Sequence, residues 1–295
     1  MTRYQKLVVA RFAERIIPSS ATMKNKTLKK LIAALFSPIS LIYLVSTRKR
    51  PVLPYLEFVV TEKCTLRCKS CANLMQHYKS AQNYPLKQLM ADADILEKRL
   101  SAIWTLQLLG GEPLMYPELE ALLGHLCGKR FIKRIQVVTN GTLLPKTAVL
   151  ELLKHRKITV LISNYGEKSV KLRELKALLE QSGVRYRALD YSEWMDYGDL
   201  SQKNLTQAQM SESYRHCPAA ECKTLLKGKL YSCPRSAHMA NLKNLPAGGE
   251  CADIAGDDFP QQLRELFALP AVRACAHCNP PWDRPPIPPG EQVMH

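Results

Sequence analysis

The first fifty residues hold a single acid, Glu14, against eleven Lys and Arg. That stretch carries +10, so by subtraction from the formal +16 the remaining 245 residues carry +6. The basic balance is local and does not mark the body of the chain as a nucleic-acid binder. Long apolar runs are also missing. The strongest, Leu31 to Thr47, is interrupted by Pro38 and falls short of the roughly 20 residues of a membrane span. Lys29 and Lys30 precede it and Arg48, Lys49 and Arg50 follow. Two readings stay open: a basic element lying on an anionic membrane surface, or a helical pair packed on the main domain. Arg11, Glu14 and Arg15 break the apolar start, and no small-residue cleavage site follows a long apolar run. A cytoplasmic protein with reduced thiols is therefore expected. Ten Cys in 295 residues are too few for a disulfide scaffold, so their clustering suggests metal. No internal repeat appears. The apolar share, 46%, is enough for a full core.

Five domains of organisation are expected: a basic helical extension over 1–50, a core over 51–190, a linker over 191–212, a cysteine-bearing module over 213–280 and a proline-rich tail over 281–295. Within the core, short apolar runs alternate with amphipathic stretches. Strands are expected at Leu56–Thr61, Thr105–Leu109, Ile135–Thr139, Ile158–Ser163 and Arg185–Leu189, with the length and β-branching of buried parallel strands. Helices are expected near Leu86–Leu100, Pro117–Cys127, Lys146–His155 and Val170–Gln181. Repeated β then α gives an α/β fold with a parallel sheet and right-handed crossovers. Residues with special chemistry follow the strands, and active sites of such folds collect at that edge. Further on, Lys227-Gly228 between two apolar triplets reads as a hairpin turn. Six Pro in the twelve residues Asn279 to Gly290 make the tail extended.

Cys64, Cys68 and Cys71 form Cys-x3-Cys-x2-Cys directly after the first strand. Three thiolates so close can wrap one compact centre, and iron–sulfur clusters take such ligands. Zinc with His77 as a fourth ligand stays open for the triplet alone. The surrounding residues resemble the radical S-adenosylmethionine (radical SAM) enzymes over roughly residues 55–190. In that family the triplet follows the first strand of a partial (βα)6 barrel and binds a 4Fe–4S cluster. The second strand ends in a motif like Gly110-Gly111-Glu112-Pro113, which there binds the amino group of SAM. The chemistry suits it, since glycines admit close backbone and a carboxylate pairs an ammonium. Thr139, Asn140, Ser163 and Asn164 sit where the family places polar contacts to SAM. Ser70 departs from the family, which often has an adenine-contacting aromatic before the third cysteine. The resemblance implies cleavage of SAM to a 5′-deoxyadenosyl radical that abstracts hydrogen from an unactivated carbon, with a reductant such as flavodoxin or ferredoxin.

Cys217 is followed by ten residues, Gly228, four residues and Cys233, then by 41 residues and Cys275-Ala-His-Cys278. This resembles the twitch module, which holds one auxiliary 4Fe–4S cluster. The resemblance implies Cys217, Cys233, Cys275 and Cys278 as ligands; a structural zinc ribbon on the same four is the alternative. Arg235 and His238 could bond cluster sulfides or substrate oxygens, beside bland surface or core roles. Cys127 reads as core. Cys222, and more weakly Cys251, are candidates for a thiol that returns hydrogen to a substrate radical. The expected activity is epimerisation of a sugar or aminocyclitol. Dehydrogenation of such a molecule and epimerisation of a peptide are the alternatives, and a zinc-dependent nucleic-acid binder is disfavoured by the charge distribution.

Overall fold

A computed structural model describes residues 50–243 and 249–293. The expected N-terminal extension lies outside these residues except for Arg50. Along the chain come β1 (Val52–Thr61), α1 (Leu86–Arg99), β2 (Ala102–Gly110), α2 (Leu119–Gly128), β3 (Ile135–Thr139), α3 (Thr147–Leu153), β4 (Ile158–Asn164), α4 (Leu172–Gln181) and β5 (Tyr186–Asp190). Then follow β6 (Trp194–Met195), α5 (Gln207–Arg215), β7 (Thr224–Leu226), β8 (Lys229–Tyr231), α6 (Pro234–Lys243), β9 (Cys251–Asp253), α7 (Phe259–Ala268) and β10 (Pro286–Ile287).

One sheet runs in the order β5-β4-β3-β2-β1-β7-β8-β9. Strands β1 to β5 are parallel and sequential. Right-handed crossovers in that order place the connecting helices on one face, as in an open partial barrel. The rows Leu56, Leu106, Ile135, Ile158 and Phe58, Leu108, Val137, Val160 meet those helices, and each residue is at most 2% exposed. They share a core with Leu89, Leu96, Leu122 and Leu175. Each such leucine contributes roughly 1.5–3 kcal/mol by leaving water. Gly183, at φ 67, closes α4 with the Val184 N–H on the Leu179 carbonyl, a left-handed cap open to glycine at no steric cost. Among the described residues no helix is long and apolar enough to cross a membrane.

Three expectations change. The sequential parallel run stops at β5, and the sixth parallel strand of the sheet is β7, which lies beside β1 rather than beside β5. The sheet instead grows beyond β1, through β7 in parallel and then β8 and β9 antiparallel. The cysteine module therefore shares a sheet with the core. Lys227 and Gly228, both with positive φ, make the expected tight turn between β7 and β8. The stretch 191–212 is no plain linker: it holds β6 and most of α5, which opens on a capping box of Thr206 and Gln209. The tail is extended as expected, apart from a short helical turn at Pro281–Asp283, but β10 pairs with β6.

Candidate active site

The loop after β1 is fastened on every side. Gly111 donates its N–H to the Thr61 carbonyl and Glu112 to the Lys63 carbonyl, both at 2.8 Å. A Cβ on Gly110 would stand 2.1 Å from the Thr61 oxygen, and one on Gly111 2.0 Å from the Lys63 oxygen. The two glycines thus let the end of β2 lie against the backbone that leads into Cys64. Asn73 donates to the Gly110 carbonyl at 2.9 Å. Just after β3, Asn140 donates to Thr65 Oγ1 at 3.0 Å and to Cys64 Sγ at 3.7 Å. Ser70 donates to Asp196 at 2.5 Å, so the residue that departs from the family ties the loop to the segment after β6.

Glu112 is 1% exposed. Its carboxylate accepts the Leu114 N–H at 3.1 Å and the Asn140 N–H at 2.8 Å, bracketing the turns after β2 and β3. Burial pushes its carboxyl up to about 7, against those hydrogen bonds. Pro113 opens the short helical turn that follows. Thr139 is buried and accepts the Gly141 N–H. The Ser163 carbonyl accepts from Ser169. Asn164 bonds Asp190 at 2.6 Å. All the residues expected around SAM therefore stand at the carboxyl ends of β2, β3 and β4.

Sequence reasoning missed the tail. Gln292 donates to Cys68 Sγ at 3.4 Å and accepts the Arg67 N–H at 2.6 Å. Lys69 and Val293 add two backbone bonds between tail and loop. It also missed Tyr165, Tyr191 and Trp194, a ring cluster after β4 and β5 with Tyr165 and Trp194 centroids 4.9 Å apart. Gly290 packs against Tyr165, where a Cβ would come within 3.0 Å. No local pattern marks either contact.

A second cleft lies in the cysteine module. Cys217, Cys233, Cys275 and Cys278 all line it, with about 360 Å³ of empty space counting the open mouth. Cys233 precedes α6 and its sulfur accepts the Ser236 N–H at 3.3 Å, a hydrogen bond that favours the thiolate but is outweighed by burial, which pushes the thiol up. Cys222 does not line the cleft; its thiol bonds the Glu57 carboxyl. Cys251 lies on β9, at the sheet edge opposite Tyr231, and joins neither cysteine group. Cys127 packs against the core.

The donor chemistry of both sites fits iron–sulfur clusters. N–H groups point at the sulfurs of Cys64, Cys68, Cys233 and Cys278, as thiolate ligands want. Burial pushes the Cys64 thiol up to about 12 and Cys68 to about 11, so metal would have to displace their protons. Among the described residues no three Cys, His, Asp or Glu side chains stand at single-ion distances.

A polar row crosses the face opposite the helices. Thr224 of β7, Glu57 of β1, Gln107 of β2, Gln136 of β3 and Thr159 of β4 are successive register partners. Thr224 donates to Glu57 at 2.8 Å, and burial pushes the Glu57 carboxyl up to about 7. Tyr78 bonds His238 Nδ1 at 2.8 Å and Asn241 at 2.9 Å, and Asn241 reaches Glu62 at 3.0 Å. This partly buried network joins the segment after the first cysteine loop to α6. Burial pushes His238 down to about 3, leaving it neutral.

A radical SAM superfamily model matches residues 58–163. GTP 3′,8-cyclase from Aquifex aeolicus (strain VF5) is 32% identical over 137 residues, 44% of this chain and 41% of that protein. The enzyme of the same name from Stenotrophomonas maltophilia (strain K279a) is 30% identical over 95 residues, 32% and 28% of the two chains. The chain thus spans less than half the length of these curated relatives. Among solved structures, BtrN in complex with AdoMet and 2-DOIA gives a TM-score of 0.48 at 17% identity, over 83% of this chain and 98% of that one. Streptococcus suis SuiB bound to precursor peptide SuiA gives 0.38 at 18%, over 63% and 44%. The family takes SAM and a 4Fe–4S cluster. The cysteine triplet and the glycine-rich turn bound to its backbone both fall inside the matched segment, and the chain therefore carries a radical SAM superfamily domain.

Proposed function

We propose that the chain is a radical SAM enzyme with a second 4Fe–4S centre on Cys217, Cys233, Cys275 and Cys278, acting on a sugar-like or aminocyclitol-like small molecule. The observation that carries the two-centre reading is the gathering of these four thiols around one cleft, apart from the triplet at the strand ends. Bound at the two sites, the clusters and SAM supply one-electron chemistry that removes a hydrogen atom from carbon. Cys64, Cys68 and Cys71 hold the first cluster, and the turns after β2, β3 and β4 hold SAM. A small electron-transfer protein such as flavodoxin or ferredoxin supplies the electron.

The polar row supports the substrate class. Its five side chains offer amides, hydroxyls and one protonatable carboxyl, a set suited to a hydroxyl-rich ligand. Cys222 is the hydrogen donor in the epimerase reading. Giving up a hydrogen atom leaves a thiyl radical on Cys222; one electron from the electron-transfer protein makes it a thiolate, to which Glu57, bonded to that sulfur, can return the proton. A guanosine-triphosphate-like substrate is the second reading, favoured by the name of the curated relatives. None of the five row residues is a cation, and a triphosphate calls for several.

The test is 5′-deoxyadenosine formation by the reduced enzyme against aminocyclitols, free sugars, GTP and a short peptide. An aminocyclitol or sugar is expected to accelerate it; acceleration by GTP alone contradicts the reading. Cys222→Ala is expected to retain iron, still cleave SAM with substrate, and lose epimerised product. In deuterated water the wild type should place deuterium at the reacting carbon. A product oxidised by two electrons, without that deuterium, establishes dehydrogenation instead.

A further inference from the structure

Arg235 stands in the first turn of α6, two residues after Cys233, and is 1% exposed. Its Nε–H donates to Cys278 Sγ at 3.1 Å. Its Nη1 donates to the Gly198 carbonyl at 3.0 Å, and its Nη2 to the carbonyls of Asp199 at 2.7 Å and His277 at 3.4 Å. The guanidinium is thus held in one orientation with its edge toward the cysteine cleft. The Asp199 carboxylate, the nearest acid in sequence to these acceptors, is turned to Ser201 and Lys203. Among the described residues no carboxylate pairs with Arg235.

A guanidinium keeps its proton at every accessible pH. Burying it without a counter-charge costs several kcal/mol, and three carbonyl dipoles only partly replace water. The sulfur that the guanidinium bonds is that of Cys278, in the cleft, and its charge also reaches the Cys71 thiol. Arg284 lines the same cleft and packs over the Tyr197 ring, 4.0 Å from its centroid. No Asp or Glu lines the cleft. Two fixed cations and four thiols, with no acid, describe a pocket built for a centre of net negative charge.

We infer that Arg235 is a positioning residue that balances the charge of the auxiliary centre and raises its reduction potential. The inference rests on the two-centre reading above. Taking up one electron makes the centre more negative by one charge. A fixed cation hydrogen-bonded to one of its sulfur ligands favours that reduced form, and the effect is large where water is excluded.

The test is an EPR-monitored redox titration of the full chain carrying Cys64→Ala, Cys68→Ala and Cys71→Ala, so that only the auxiliary centre is seen. Arg235→Gln is expected to lower the midpoint by at least a tenfold change in the reduction equilibrium, about 59 mV for one electron. Arg235→Lys, which keeps the charge and loses the fork, should fall between wild type and Gln. A Gln variant with full iron and an unchanged potential overturns the inference. If Gln loses its iron while Lys keeps it, the charge requirement is upheld. If both lose it, Arg235 acts by packing and the inference fails. A parent protein that binds no iron in this background refutes the auxiliary centre itself, which is a separate outcome.

Discussion

Glu57 and Glu112 are carboxyls in apolar surroundings, and burial pushes both up to about 7 from an ordinary 4.5. A carboxyl raised on folding binds its proton more tightly in the native state. Its contribution is then fully present below pH 4.5 and is lost as pH rises through about 7, the reverse of a salt-bridged acid. In urea unfolding of the metal-free protein from pH 5 to pH 8, wild type should lose roughly 3 kcal/mol relative to Glu57→Gln. Parallel pH profiles contradict the burial argument. Glu112 adds a geometric role. In Glu112→Gln one oxygen becomes an NH2 facing the N–H of Leu114 or Asn140, which should cost about 1–3 kcal/mol; unchanged stability in denaturant refutes the bracket between the two turns. The residue types at this turn were legible from the motif, but their packing was not. The glycines serve the approach of two backbones, and whether they also admit a ligand is a question of what lies outside that contact.

The alternation of strands and helices could be read because the core strands are apolar on successive partners and the helices carry one buried stripe. Ile135–Thr139 falls where expected to the residue. The capping box Thr206–Gln209 was also present as a local signal, and it would have placed α5 inside the supposed linker. Contacts that close over long sequence separation leave no such trace. Gln292 reaches Cys68 across 224 residues, and nothing about a glutamine in a proline-rich tail announces that. The tail and the first cysteine loop form one structural unit, so Gln292→Ala should make the triplet's cluster more labile to a chelator while leaving the auxiliary centre unaffected. Equal iron loss from both centres contradicts this coupling. The polar row escaped the sequence reading for a related reason: Glu57, Gln107 and Gln136 read as single polar residues in strands until register aligns them.

Across the molecule, the sheet is the device that relates the two cysteine groups. The triplet follows β1, and β7, which pairs with β1 on its other edge, begins just after the loop bearing Cys217 and Cys222. The resemblance to the twitch module implied four of the six cysteines after residue 213 as ligands, and those four line the cleft while Cys222 and Cys251 do not. The central claim is that this chain holds two iron–sulfur centres on separate cysteine sets. The most direct measurement is iron and acid-labile sulfide after anaerobic reconstitution, wild type beside the Cys64/Cys68/Cys71→Ala variant. At four irons per cluster, the account predicts about eight of each per wild-type chain and about four in the variant. A wild type that saturates at about four, with a variant that holds none, would contradict it.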